Sequence, residues 1–179
     1  MSIAQAASAA ATTFPFVNVV TPYGTYALPV VMTAIGGAET GGTFDPAAAG
    51  DYGLGGPSCN GYTSWGLWQI HNVHASYLEG VTGSSDPCQW ASWLSVPANC
   101  ARAALAIYQS QGLGAWTTWQ EGTYSAWLTP ALAAVTAAVG GSPASGSATV
   151  YTTAPSPWPW LIGGGLVLAG GALALRRRR

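Results

Sequence analysis

The sequence predicts a mainly α-helical domain interrupted by a Gly-rich loop or short hairpin, followed by one C-terminal transmembrane helix. Three observations predict it. Between residues 28 and 139, apolar residues recur at helical spacing in three stretches bounded by Pro and Gly. Between Thr43 and Trp65 that period fails, and Asp45, Asp51, Gly53, Gly55, Gly56, Pro57 and Gly61 supply the chemistry of turns. Beyond residue 140 the composition changes to GGSPASGSATVYTTAPSP, then to WPWLIGGGLVLAGGALAL and four Arg.

In chain order, residues 1–27 are Ala- and Thr-rich, are broken by Pro15, Pro22 and Gly24, and read as an N-terminal extension. The opening MSIAQAASAAATT lacks a positive n-region and a compact apolar h-region, so no secretory signal is expected there. Pro29 opens the first helix, which runs to about Glu39 before Gly41 and Gly42 end it. A second helix starts near Pro97–Asn99, carries Ala101, Ala104, Leu105 and Tyr108 as its apolar stripe, and stops at Gly112. The third has Thr129 as N-cap and Pro130 in its first turn, passes through Leu132 and Val135, and ends at Gly140 and Gly141. Residues 28–139 form the predicted domain, 140–157 a Gly/Ser/Pro linker, 158–175 the transmembrane helix and 176–179 a basic tail.

Only 6% of the 179 residues are charged, against about 25% in ordinary soluble domains. There is no Lys, and Arg102 is the one Arg outside Arg176 to Arg179, so residues 1–175 hold one cation against six acids, a formal charge of −5. A basic nucleic-acid-binding face is therefore excluded for the domain. Aromatic residues at 11% argue against a solvated disordered chain, and Gly lacks the period of collagen. One apolar segment excludes a polytopic membrane protein.

From Leu161 to Leu175 the chain is uncharged for 15 residues, or 18 counting from Trp158. Fifteen helical residues span roughly 22 Å, short of the ~30 Å hydrocarbon core. Trp158 and Trp160 at one interface and snorkelling Arg at the other extend that reach. The positive-inside rule places Arg176–Arg179 on the cytoplasmic side or its equivalent, where they meet anionic lipid or nucleic acid, and the domain on the other side. Cys59, Cys88 and Cys100 permit at most one intrachain disulfide, with three pairings open. No His or Cys stands at zinc-ligand spacing, and no metal or other cofactor is expected.

Glu39 carries the chemistry. Val31, Ile35 and Glu39 are spaced i, i+4 and i+8, so a carboxyl continues an apolar helix face at its C-terminal end. Desolvation there disfavours the charged form, and the negative end of the helix dipole acts in the same direction. A carboxyl that keeps its proton near neutral pH is what general acid catalysis requires.

Around it stand Ala38-Glu39-Thr40-Gly41-Gly42, then Asp45-Pro46, then Ser64-Trp65-Gly66-Leu67-Trp68-Gln69-Ile70, then Ile107-Tyr108, then Gly112 through Trp119, Gly122 and Tyr124. This series resembles the lysozyme-like domain of soluble lytic transglycosylases and goose-type lysozymes, over about residues 28–128. Thr40 replaces a Ser more usual in that family. The resemblance implies a lysozyme-like (α+β) fold and cleavage of the β-1,4 bond between N-acetylmuramic acid and N-acetylglucosamine in peptidoglycan. Glu39 then matches the catalytic acid. Ser64 and Gln69 match sugar-contacting positions, Gly66 lets backbone approach the sugar, and Tyr108 matches an aromatic that faces the acid. Attack by the 6-hydroxyl of the same muramic acid leaves a 1,6-anhydro sugar; attack by water makes the enzyme a muramidase. A second carboxylate, Asp51 or Asp45, favours water, although Asp45-Pro46 reads first as a turn.

Trp65, Trp68, Trp116 and Trp119 are candidates for stacking on sugar rings or for the core, and His71 and His74 read as polar surface or cleft edge. Two functional classes are carried forward. One is a membrane-anchored glycan-cleaving enzyme, set in the membrane of a virion that penetrates the cell wall or in a host envelope. The other is a structural or glycan-binding protein with an inactive domain of the same shape. An exported cell-surface enzyme is a further setting: the C-terminal layout is similar to a sorting signal but lacks LPxTG.

Overall fold

A computed structural model describes residues 2–140. These residues are mainly helical, with two small antiparallel sheets. The linker, the expected transmembrane helix 158–175 and the basic tail lie outside the described residues. Among the described residues, no helix is long and apolar enough to cross a membrane.

At the centre is the helix over Leu28–Glu39, where ten consecutive residues from Leu28 to Gly37 are buried. A helix apolar on every side must be surrounded, and the surrounding pieces are three further helices, a hairpin and a short 3-10 segment. The first of these is α1, Ile3–Thr13, which makes the central helix α2. Ala6, Ala7 and Ala10 of α1 are fully buried, and their small side chains let it lie close against its neighbours. The hairpin follows it, with β1, Asn18–Thr21, paired to β2, Gly24–Ala27.

The expectation of an N-terminal extension is corrected by this packing: residues 3–27 form part of the domain and cover one side of α2. Ala is the strongest helix former, so a run of Ala without large apolar residues still makes a helix once a core accepts it. The Gln5 side chain accepts a hydrogen bond from the Ser2 backbone N–H at 3.2 Å and closes its first turn.

The central helix ends as its sequence directs. The Gly42 N–H bonds the Gly37 carbonyl at 2.7 Å and the Gly41 N–H bonds that of Ala38 at 3.2 Å, the paired bonds of a Schellman motif. Both glycines have positive φ, 57° and 83°. The Thr40 hydroxyl, buried, donates to the Gly36 carbonyl at 2.8 Å and accepts from the Phe44 N–H at 3.0 Å. It therefore serves the turn. Trp127 lies across Gly37 and Gly42 and meets Phe44 edge-on at 5.5 Å. Glu39 thus stands on a helix end locked from below.

The Gly-rich stretch forms a hairpin arm. Strands β3, Ala49–Gly50, β4, Ser64–Trp65, and β5, Ile70–His71, make a three-stranded sheet in that order. Beyond β3 and β4 the chain runs on to a tight turn at Cys59–Tyr62, where Asn60 and Gly61 both have positive φ, 52° and 85°. Asn-Gly is the preferred pair for such a turn.

Helices α3, Ala75–Thr82, and α4, Pro87–Leu94, come next, then α5 over Pro97–Gln111, α6 over Thr117–Gln120 and α7 over Leu128–Ala138. The second expected helix is therefore found as α5, but its buried face is Cys100, Ala101, Ala103, Ala104 and Ile107, with Leu105 and Tyr108 only half-buried. In α7 the N-cap is Trp127, two residues before the expected Thr129. Leu128, Ala131 and Val135 face inward, and Leu132 is exposed.

Of the three open pairings, Cys59–Cys88 is the one formed, and Cys100 is buried and free. The bond ties the hairpin arm to the first turn of α4. Closing a loop of sequence separation 29 contributes about 3–4 kcal/mol by restricting the unfolded chain. Replacing both residues by Ser is expected to lower unfolding stability by that amount in a denaturant titration. Reductant should reproduce the loss in the wild type and leave the variant unchanged.

Candidate active site

Glu39, Asp51, Ser64 and Gln69 line one cleft of about 520 Å³, together with the turn before α6. Segments far apart in the chain supply the walls: the end of α2, the base of the hairpin arm, the run from β4 through β5 to His74, the end of the helix over Pro97–Gln111, and residues 115–117.

The Glu39 carboxyl is held by α6. The Thr118 hydroxyl donates to Glu39 Oε1 at 2.6 Å. Burial holds the carboxyl above the ordinary 4.5, opposed by the hydrogen bonds from the Thr118 hydroxyl and backbone, and reinforced by the negative charges of Asp51 and Glu121. Removing one influence at a time should move the titration in opposite directions. Asp51→Asn removes a raising charge and lowers the Glu39 pKa; Thr118→Val removes a bond to the ionised form and raises it. An NMR titration of the Glu39 carboxyl carbon measures both, and equal values in all three proteins would contradict this account.

Asp51 sits at φ 58°, a left-handed conformation uncommon outside Gly. Two groups hold it there. The Ser64 hydroxyl donates to its Oδ2, and the Thr63 hydroxyl donates to its backbone carbonyl at 3.0 Å. Strained backbone of this kind persists only where surrounding bonds over-determine it. Asp45, by contrast, accepts the Ala47 N–H at 2.9 Å as a turn residue and does not line the cleft.

Gln69 borders the cleft at φ 45°, but its amide nitrogen is already committed. It donates to the Gly66 carbonyl at 2.9 Å and the Ala48 carbonyl at 3.2 Å, pinning β3 to the β4–β5 turn. Ser64 is likewise buried and spent on Asp51. Both residues shape the site through other groups.

Two expected contacts, Gly66 and Tyr108, are placed elsewhere. Gly66, at φ 81°, faces the core: a β-carbon there would lie 2.6 Å from Cys100 Sγ and 2.9 Å from the Leu94 carbonyl oxygen. Its lack of a side chain permits core packing, and no backbone approach to a sugar follows from it. Trp68 does border the cleft, but it is fully buried and its indole N–H is spent on the Met32 carbonyl at 2.7 Å. Tyr108 packs on the core and does not line the cleft, where Ile107 stands instead. An α5 face rotated by one residue accounts for that difference.

Trp116 borders the cleft but is nearly buried, and its indole donates to the Trp68 carbonyl at 3.0 Å. Trp65 is buried against Trp90, and Trp119 stacks on Tyr124. The four Trp candidates thus divide toward the core.

His71 and His74 line the cleft, and burial holds His74 below its ordinary value. Thr118 is the contact that sequence reasoning missed. It lies 79 residues from Glu39, and nothing in its local pattern marks it. Among the described residues, no group of three or more His, Cys, Asp or Glu could hold a metal ion.

Comparison of the chain with protein-family models, with curated proteins and with solved structures finds no match.

Proposed function

We propose that the protein cleaves the β-1,4 bond between N-acetylmuramic acid and N-acetylglucosamine in peptidoglycan, as a muramidase or a lytic transglycosylase. The observation that carries the reading is Glu39: a carboxyl with a raised pKa, fixed by Thr118 on the wall of a cleft that also holds a second carboxylate. Because Oε1 already accepts the Thr118 hydroxyl, the acid form carries its proton on Oε2. From there it protonates the leaving glycosidic oxygen, and the resulting carboxylate takes a proton from the incoming nucleophile.

Asp51 favours water as that nucleophile. Its negative charge faces the developing oxocarbenium ion and can orient a water across the bond. The Ser64 hydroxyl holds the carboxylate in place for that role. In the anhydro branch the muramic acid 6-hydroxyl takes the place of water, and Glu39 alone is required.

The protein works outside the cytoplasm in this reading, tethered by residues 158–175 with Arg176–Arg179 on the far side of a virion membrane or host envelope. The Cys59–Cys88 disulfide supports an oxidising setting, and the tether rests on its sequence alone. A zymogram on purified peptidoglycan tests the activity: the wild type leaves a clearing band, and Glu39→Gln leaves none. A protein that binds the wall without clearing it would be the inactive relative instead.

A further inference from the structure

Residues 51–58 are exposed throughout, yet they are tied down. The buried Asn72 amide donates to the Gly55 carbonyl at 3.2 Å and the Pro57 carbonyl at 2.9 Å. The Cys59–Cys88 bond anchors the far strand, and the Asn60-Gly61 turn closes the tip. Ordering each residue costs about 1–2 kcal/mol of backbone entropy, and this arm returns almost no core burial for it. What it does hold out is Tyr52, 71% exposed.

The Tyr52 ring is fixed in place despite that exposure. Tyr62 meets it edge-on, with ring centroids 5.1 Å apart and planes at 65°. It lies over Gly61, where a β-carbon would come within 2.7 Å of its Cε2. The Gly53 N–H bonds the Gly61 carbonyl at 2.9 Å and the Thr63 N–H bonds that of Gly50 at 3.2 Å. Tyr52 and Tyr62 are therefore the next rung of the ladder beyond Asp51 and Thr63, one residue along the chain from the carboxylate that lines the cleft. Between Tyr52 and Tyr62 there is no charged residue.

We infer that Tyr52, braced by Tyr62, is a stacking platform that binds a further N-acetylated pyranose of the glycan strand whose scissile bond lies at Glu39. The inference rests on the glycan reading of the cleft. A flat, uncharged ring matches the apolar C–H face of a pyranose, and a ring already held in position loses little entropy on binding.

The test uses full-length protein carrying Glu39→Gln, so that strands are bound and not cut, and soluble glycan strands stripped of stem peptides. Relative to this parent, Tyr52→Ala is expected to weaken binding roughly tenfold, and Tyr52→Phe, which keeps the ring, to restore it. Thermal melts of both variants should match the parent, because Tyr52 is mostly exposed. Parent-like affinity in Tyr52→Ala would overturn the platform and leave the cleft reading intact. A loss seen only on strands with stem peptides attached would overturn it too, assigning Tyr52 to the peptide. Failure of the parent to bind stripped strands would remove the glycan reading, and the platform with it.

Discussion

Glu39→Gln is expected to cut glycan cleavage by about 10²–10⁴-fold and, in the same protein, to raise stability at neutral pH. The two effects have one cause. Gln keeps an oxygen for the Thr118 hydroxyl and nearly the same volume, so the cleft should survive the change. It removes the carboxyl to which the proposed function assigns the proton transfer.

The stability sign follows from linkage. Burial raises the Glu39 pKa above 4.5, so between the ordinary and raised values the folded chain holds a proton that the unfolded chain has released. Stability is full below 4.5 and is lost as pH rises through the raised value. At neutral pH the wild type therefore bears the burden of a half-buried carboxylate near two others, and Gln does not. A thermal melt at pH 7 should show the higher midpoint in the variant, and the gap should close on acidification below the ordinary carboxylate value. A variant less stable than the wild type at pH 7 would mean that Glu39 contributes bonds to the fold beyond those to Thr118.

Gly66→Ala is the second large effect, and it is structural. The residue is at φ 81°, and the added methyl would press on Cys100 Sγ and on the backbone at Leu94. Backbone cannot rotate away as a side-chain end can, and Cys100 is fully buried. Overpacking and a disallowed φ together cost roughly 2–5 kcal/mol. The loss should appear as a lower denaturation midpoint, with cleavage per folded molecule little changed. Cys100→Ala in the same chain would relieve one of the two clashes and recover part of the stability. Full stability in Gly66→Ala alone would show that the turn can shift, and that the Gly is not required by packing.

What was legible in the sequence follows from where the information lies. Glu39 was readable because its signal is local: apolar spacing along one helix, a pair of glycines at its end, and a carboxyl between them. The turn Ser64 to Ile70 was readable as an element, and its positive-φ Gly66 and Gln69 are local as well. The direction in which Gly66 faces was not, because it depends on α5 arriving behind it. The same holds for Trp68, whose burial is created by α1 through Phe14 and by α2 through Met32.

The α1 helix was misplaced because Ala gives a weak apolar pattern while being the best helix former. Helices α3 and α4 are each 8 residues, too short for a clear period. Thr118 could be found only in three dimensions, since a hydroxyl 79 positions away carries no pattern toward its partner. The disulfide lay among three pairings until the hairpin arm and α4 were set side by side.

The claim at the centre of this account is that the Glu39 cleft breaks the glycan backbone of peptidoglycan. Mass spectrometry of purified peptidoglycan after incubation with the protein tests it most directly. The account predicts new muramic acid ends, reducing or 1,6-anhydro, that appear with the wild type and are absent with Glu39→Gln; reducing ends would identify water as the nucleophile, the role in which Asp51 is proposed to assist. Unbroken glycan strands after exposure to the folded wild type, across several wall chemistries, would contradict it.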